Sequence, residues 1–176
     1  MPAWSRSTAS TWRGAGIGDR SRARLHSPSG SAPNAMTSRS PSAQELNAVL
    51  ERTPFLAAYG MSVVSCSEGE CRVLLPFRRS LERPGGIVSG MALMGAADVA
   101  MWLAIMTLRG VDEQWVTSDM KSTFLRRAAN ENVVCHASVL KLGRRTAYGT
   151  VDSAGGVSGL VAHHVVSYAK ASPATT

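Results

Sequence analysis

Cysteine is scarce in this chain of 176 residues, with only Cys66, Cys71 and Cys135. An odd set with these spacings matches neither a disulfide framework nor a zinc-ligand pattern. Cys66 and Cys71 are placed to face each other across a hairpin, but small buried hydrophobes in a reducing compartment are the simpler expectation. No secretory apolar segment opens the chain, and a cytoplasmic protein is expected. Acidic residues are nearly missing from residues 1–40, where Asp19 stands alone against Arg6, Arg13, Arg20, Arg22, Arg24 and Arg39. The formal net charge of +7 is therefore mostly a property of that segment. Its arginines are not interleaved with an aromatic RNA-binding motif, so no nucleic-acid partner is expected.

Residues 1–40 also lack the apolar content that would offset the entropy of ordering them, and a disordered Arg/Ser-rich tail is expected there. Such a start resembles an organellar transit peptide. No amphipathic apolar face runs through residues 1–35, however, which favours a start set too far upstream, with Met36 as the alternative first residue. One domain is expected over residues 41–172.

Charge is missing again over residues 86–108, the longest apolar run, where Asp98 is the one ionisable side chain. A carboxylate in such surroundings costs several kcal/mol unless it is paired, hydrogen-bonded or kept neutral. No basic residue lies within one helical turn of it, so chemistry is the expected reason for its presence. A run of about 20 apolar residues is long enough to span a bilayer. This one is rich in Ala, Gly and Met, lies among strand-like segments and has no flanking cluster of Lys or Arg, so no membrane role is expected.

Around that run the pattern reads as one short helix, two strands, the long helix and four strands. Ser42-Ala43-Gln44-Glu45 is a capping box, with Leu46, Val49, Leu50 and Phe55 on the apolar face behind it and Pro54 disturbing its last turn. Residues 61–65 and 71–77 alternate as a hairpin, and Arg83-Pro84-Gly85-Gly86 reads as a loop. Four more strands are expected over residues 116–125, 133–141, 145–152 and 158–169. Consecutive strands with short turns predict an antiparallel sheet. A helix apolar on all sides must be covered on all sides, as a strongly curved sheet with a second subunit behind it would do.

Ser89 is a good N-cap for the long helix, leaving the amides of Gly90 and Met91 as unpaired donors at its positive end. Such an end suits an oxyanion developing on a carbonyl. Asp98 lies about 12 Å further along the axis, at 1.5 Å per residue. One carbonyl reaches both groups only if two such helices run antiparallel across a two-fold axis. The spacing thus predicts a site shared by two subunits.

The segment Arg83-Pro84-Gly85-Gly86-Ile87-Val88-Ser89-Gly90-Met91, followed by Ala96-Ala97-Asp98-Val99-Ala100, resembles the Asn-x-x-Gly-x-x-His-Gly-Gly and Leu-Ala-Asp-x-Ala motifs of hotdog-fold acyl-CoA thioesterases of the PaaI (phenylacetate-degradation) type. Residues 117–128, ending Phe124-Leu125-Arg126-Arg127-Ala128, are similar to that family's third strand. Leu142-Gly143-Arg144-Arg145 resembles its Gly-Arg-Arg turn, and Leu160-Val161-Ala162 its last strand. The likeness covers about residues 42–170. Ser89, Met91 and Arg83 stand where the family has His, its second Gly and Asn.

The resemblance implies an α+β hotdog fold, a curved antiparallel sheet wrapped around one central helix. It implies a homodimer or dimer of dimers that hydrolyses an acyl-CoA thioester without metal or organic cofactor, coenzyme A being part of the substrate. Gly90 would polarise the thioester carbonyl through its amide. Asp98 of the partner subunit would act as nucleophile or as general base on water. Ser89, Met91 and Arg83 would position the thioester, Trp102 would lie near the acyl pocket, and Arg126, Arg127, Arg144 and Arg145 would meet the phosphates of coenzyme A. A solvated basic face is the plainer account of those arginines, and core packing that of Trp102.

The histidines and cysteines form no convincing metal set. Ser89 also lacks the Gly-x-Ser-x-Gly frame of a hydrolase elbow. Leu103 stands where hydratase-like relatives carry a His. A non-catalytic acyl-CoA binding or regulatory protein is the alternative, motivated by the missing His and Asn.

Overall fold

The computed structural model describes residues 40–172. The tail expected over residues 1–40 therefore lies outside them, except for its last residue. Helix α1 spans Ala43–Glu51, and its start is the expected capping box: Ser42 accepts from the Glu45 amide, and the Glu45 carboxylate accepts from the Ser42 amide at 2.7 Å. Leu46 and Leu50 are buried. The sequence reading errs at the end of this face. Pro54 does not merely disturb the helix; it opens a separate 3-10 turn, Pro54–Leu56, which buries Leu56 and leaves Phe55 71% exposed.

The hairpin is β1 (Ser62–Ser67) and β2 (Glu70–Leu75), with Cys66 opposite Cys71 as a cross-strand pair of free thiols. The expected loop at Arg83–Gly86 is the tip of a small ribbon, β3 (Glu82–Arg83) paired with β4 (Ile87–Val88). The ribbon leads straight into helix α2, Gly90–Arg109. Four strands follow: β5 (Trp115–Phe124), β6 (Val133–Leu142), β7 (Thr146–Gly155) and β8 (Gly159–Lys170). Six strands form one antiparallel sheet in the order β1-β2-β6-β7-β8-β5. The sheet wraps α2, the α+β hotdog arrangement that the resemblance implies.

The expected full cover of α2 is only partly met within one protomer. Leu93, Ala96, Ala97, Ala100, Met101, Leu103, Ala104 and Ile105 are sealed in the core. The stripe Met91, Met94, Asp98 and Trp102, spaced three or four residues apart, is open or half-open, with Met91 81% exposed. The helix is long and apolar enough to cross a membrane, yet 67% of that apolar window is buried inside the protein. Strand β5 forms one edge of the sheet, and most of its residues are exposed.

One irregularity in β5 places the site. The β5–β8 register slips between Thr117 and Asp119, so the bulge leaves Ser118 unpaired and changes which side chains face inward. Thr117 pairs with Tyr168 before the slip, and Ser122 with His164 after it.

Candidate active site

Asp98 is half-buried on the open stripe of α2. Among the described residues no cation pairs with it; two hydroxyls hold it. Thr117 donates to Oδ1 at 2.7 Å, and Tyr168 approaches the same oxygen at 2.7 Å and the Asp98 main-chain carbonyl at 2.9 Å. Burial, and then the nearby Asp98 charge, raise the Tyr168 phenol far above its usual pKa. It therefore stays protonated and acts as a donor. No described residue hydrogen-bonds Oδ2 of Asp98, and that atom is not among the sealed, unpartnered ones.

A cavity of about 410 Å³ opens beside this carboxylate. Trp102, Trp115, Phe55 and Val116 make its walls largely apolar and aromatic, with Thr117 and Tyr168 at the acid. Trp102, expected near an acyl pocket, lines this cavity together with Asp98. Trp115 and Phe55 were not foreseen there.

The start of α2 is a second focus. Ser89 caps it, its hydroxyl accepting from the Ala92 amide at 3.1 Å. The amides of Gly90 and Met91 lie in the first turn, where no intrahelical acceptor exists. The ring of Phe124 lies over Gly90 so closely that a Cβ there would stand 3.0 Å from Cζ. A separate cavity of about 220 Å³ gathers Arg83, Gly90, Phe124, Arg126 and Arg127. The exposed side chain of Arg126 also lies 3.5 Å from the Ser158 carbonyl.

Five of the expected residues thus fall into two groups within one protomer: Asp98 and Trp102 at one cavity, and Gly90, Arg126 and Arg127 at the other. Arg83 joins the second group, and Ser89 and Met91 flank Gly90. Arg144 and Arg145 join neither. They occupy the β6–β7 turn, where the Lys170 amide donates to the Arg145 carbonyl at 2.9 Å. Arg126, by contrast, hydrogen-bonds through its amide to Val161, at the other end of β8. These ends are about 30 Å apart along the strand, at 3.3 Å per residue.

The two hydroxyls holding Asp98 were missed by the sequence reading. Tyr168 shares its strand face with His164 and Val166, and this alternation in β8 was the available signal. Thr117 was hidden, because simple alternation through the bulge groups it with Asp119, Lys121 and Thr123.

Between the two foci runs a buried polar chain. His164 is fully buried, with Ser122 Oγ 2.7 Å from Nδ1 and Ser153 Oγ 3.1 Å from Nε2. Ser153 continues to Cys135 Sγ at 3.3 Å. Burial, reinforced by His163, lowers the His164 pKa to about 4. Phe124 meets the His164 ring edge-on at a centroid distance of 6.4 Å. His163 points to the other face, where it pairs with Asp152 at 2.7 Å. Burial pushes the Cys135 thiol up to about 11 and the Cys71 thiol to about 12, so neither is a ready nucleophile. Among the described residues no group of three or more His, Cys, Asp or Glu is placed to hold a metal.

Comparisons with known proteins agree with this fold. A sequence profile of the thioesterase superfamily matches residues 85–153, which include Gly90 and Asp98. The conserved protein PA5202 of Pseudomonas aeruginosa is 32% identical, and its structure superposes with a TM-score of 0.66 over 70% of this chain and 98% of that one. A point variant of the phenylacetic acid degradation protein PaaI from Thermus thermophilus is 28% identical, with a TM-score of 0.60 over 67% of this chain and 99% of that one. A Thermoplasma acidophilum protein, provisionally named an esterase, is 29% identical over 105 residues, 60% of this chain and 79% of that protein.

Proposed function

Because this chain belongs to the hotdog-fold thioesterase superfamily, of the PaaI type, we propose that it hydrolyses an acyl-CoA thioester to the free acid and CoA, at sites completed by two protomers. Hydrolysis of a thioester is the chemistry of that superfamily. Coenzyme A as the carrier, the division of labour between subunits and a reaction without metal or organic cofactor belong to the same proposal.

The observation that carries it is Asp98, a carboxylate held by neutral hydroxyl donors at an apolar cavity, with no cation paired to it among the described residues. A carboxylate at the wall of such a cavity is placed for proton or acyl transfer. Within one protomer, Gly90 lies about 12 Å away along the helix axis. A second copy placed antiparallel across the open stripe of α2 brings its Asp98 towards this Gly90. The same arrangement covers Met91 and Met94, which one chain leaves bare. Arg83, Arg126 and Arg127 beside Gly90 supply forked donors suited to the phosphates of a CoA tail.

As a general base, Asp98 takes a proton from water while the water oxygen bonds to the thioester carbon. The negative charge on the carbonyl oxygen is met by the Gly90 amide. The carbon–sulfur bond then breaks, and the CoA thiolate leaves and takes up a proton. As a nucleophile, Asp98 forms a mixed anhydride with release of the thiolate, and water cleaves the anhydride in a second step. Both routes use the same carboxylate and the same amide.

The missing His and Asn favour a second reading, a protein that binds acyl-CoA without turning it over. Ser89 caps the helix by accepting from the Ala92 amide, and its hydroxyl offers no ring nitrogen of the kind the family's His supplies. Thiol release from a panel of short, medium and aromatic acyl-CoAs decides between them. Turnover that collapses in Asp98→Asn supports the thioesterase; ligand-induced stabilisation of the wild type without turnover supports the binding protein.

A further inference from the structure

We propose that Tyr168 is a positioning residue for Asp98: with Thr117 it saturates one carboxylate oxygen, Oδ1, so that Oδ2 is the oxygen that meets the substrate or the attacking water. The inference rests on the thioesterase reading and adds to it a division of roles between the two oxygens of one carboxylate. Both hydroxyls converge on Oδ1 at 2.7 Å, whereas Oδ2 receives nothing from the described residues. Thr117 and Tyr168 are themselves cross-strand partners in β5 and β8. The donor pair is thus held by the sheet and not by the helix that carries the acid. A carboxylate on a helix rotates about two side-chain bonds. Two donors fixed on a different element remove that freedom before substrate arrives.

The buried phenol suits this role better than a solvated one. Tyr168 is only 3% exposed, so its ring is clamped in the core while its hydroxyl reaches the cavity beside Asp98. A phenol carries a single proton, and the Asp98 main-chain carbonyl already serves the helix ladder. The proton therefore goes to the carboxylate. Turning the acid by one rotamer would move Oδ2 away from the cavity, and misplacement of this kind lowers the rate of the chemical step far more than it lowers binding.

Tyr168→Phe keeps the ring and deletes only the hydroxyl. In thiol-release assays with an acyl-CoA that the wild type turns over, kcat should fall by roughly ten- to a hundredfold with KM nearly unchanged. The thermal midpoint should stay close to that of the wild type. On an Asp98→Asn background, adding Tyr168→Phe should lower the residual rate no further, because the group it positions has gone. Wild-type kcat in Tyr168→Phe, a change confined to KM, or an equal further loss on the Asp98→Asn background would each overturn the positioning role. If Asp98→Asn itself turns over like the wild type, the acid has been misassigned and the thioesterase mechanism fails with it. That result is distinct from a failure of Tyr168 alone.

Discussion

Gly90 separates what an amide does from what a small residue does. It is the first residue of α2, a position where proline suits the helix because no hydrogen bond is lost there. Gly90→Pro therefore removes the proposed oxyanion donor while sparing the helix. Its kcat should fall by about a hundredfold or more, with a melting temperature within a few degrees of wild type. Gly90→Ala keeps the amide but sets a methyl against Phe124 at 3.0 Å. Phe124 is half-exposed and has room to yield, so this variant should retain most of its turnover. Equal losses in the two variants would move the role from the amide to the space in front of it. At the same scale, His164 links structure to pH. Its folded-state pKa, about 4, lies below the 6.5 of a free imidazole, so the folded chain resists a proton that the unfolded chain accepts. The resulting stability is present in full above pH 6.5 and is lost as the pH falls towards 4, up to about 3 kcal/mol at 1.36 kcal/mol per unit. An NMR titration should find the His164 ring proton flat from pH 7 to pH 5, and a midpoint near 6.5 would refute the assignment.

At the scale of elements, the β1–β2 turn and the β5 bulge contrast what a sequence reveals with what it hides. Gly69 has φ +79° and sits at the tip of the hairpin. Its amide donates to Thr107 Oγ1 at 2.8 Å, and its carbonyl accepts from Val139 at 2.8 Å. A Cβ there would meet Leu108 at 3.4 Å, an ordinary contact. Gly69→Ala should thus cost about 1–2 kcal/mol through the left-handed backbone alone. That lowers the melting temperature by a few degrees while activity measured at 25 °C stays at the wild-type level. The hairpin was legible because Glu68-Gly69-Glu70 breaks two alternating runs, and the start of α1 because Ser42 and Glu45 form a local pair. The bulge at Ser118 was not legible. Nothing local marks it, yet it turns Thr117 towards Asp98, Ser122 towards His164 and Phe124 towards Gly90. Likewise, the motif around Gly90 and Asp98 pointed to the proposed reacting groups. The residues that hold Asp98 lie 19 and 70 positions away in sequence, and only strand pairing brings them to it.

At the scale of the molecule, the proposed mechanism gives one protomer both halves of a site that it cannot close by itself. Gly90 and Asp98 lie on one rigid helix, about 12 Å apart, and no side-chain rotation brings both to the same carbonyl. The face between them bears Met91 and Met94, exposed apolar groups whose burial would stabilise an assembly. An antiparallel pair about a two-fold axis creates two identical sites, each taking its amide from one chain and its acid from the other. Asp98→Asn and Gly90→Pro chains, each inactive as a pure dimer, should then complement each other. In a mixed dimer, one site combines the intact Gly90 of the first chain with the intact Asp98 of the second, and the other site carries both defects. Random exchange of equal amounts makes half of the dimers mixed, each with one working site, so about a quarter of wild-type activity should return. The assay needs exchange shown independently, for instance with two affinity tags on separate chains. Given that exchange, failure to recover activity would mean that amide and acid do not meet across subunits. The helix spacing would then require a substrate carbonyl served by Asp98 without Gly90, and the role assigned to the α2 amide would have to be withdrawn.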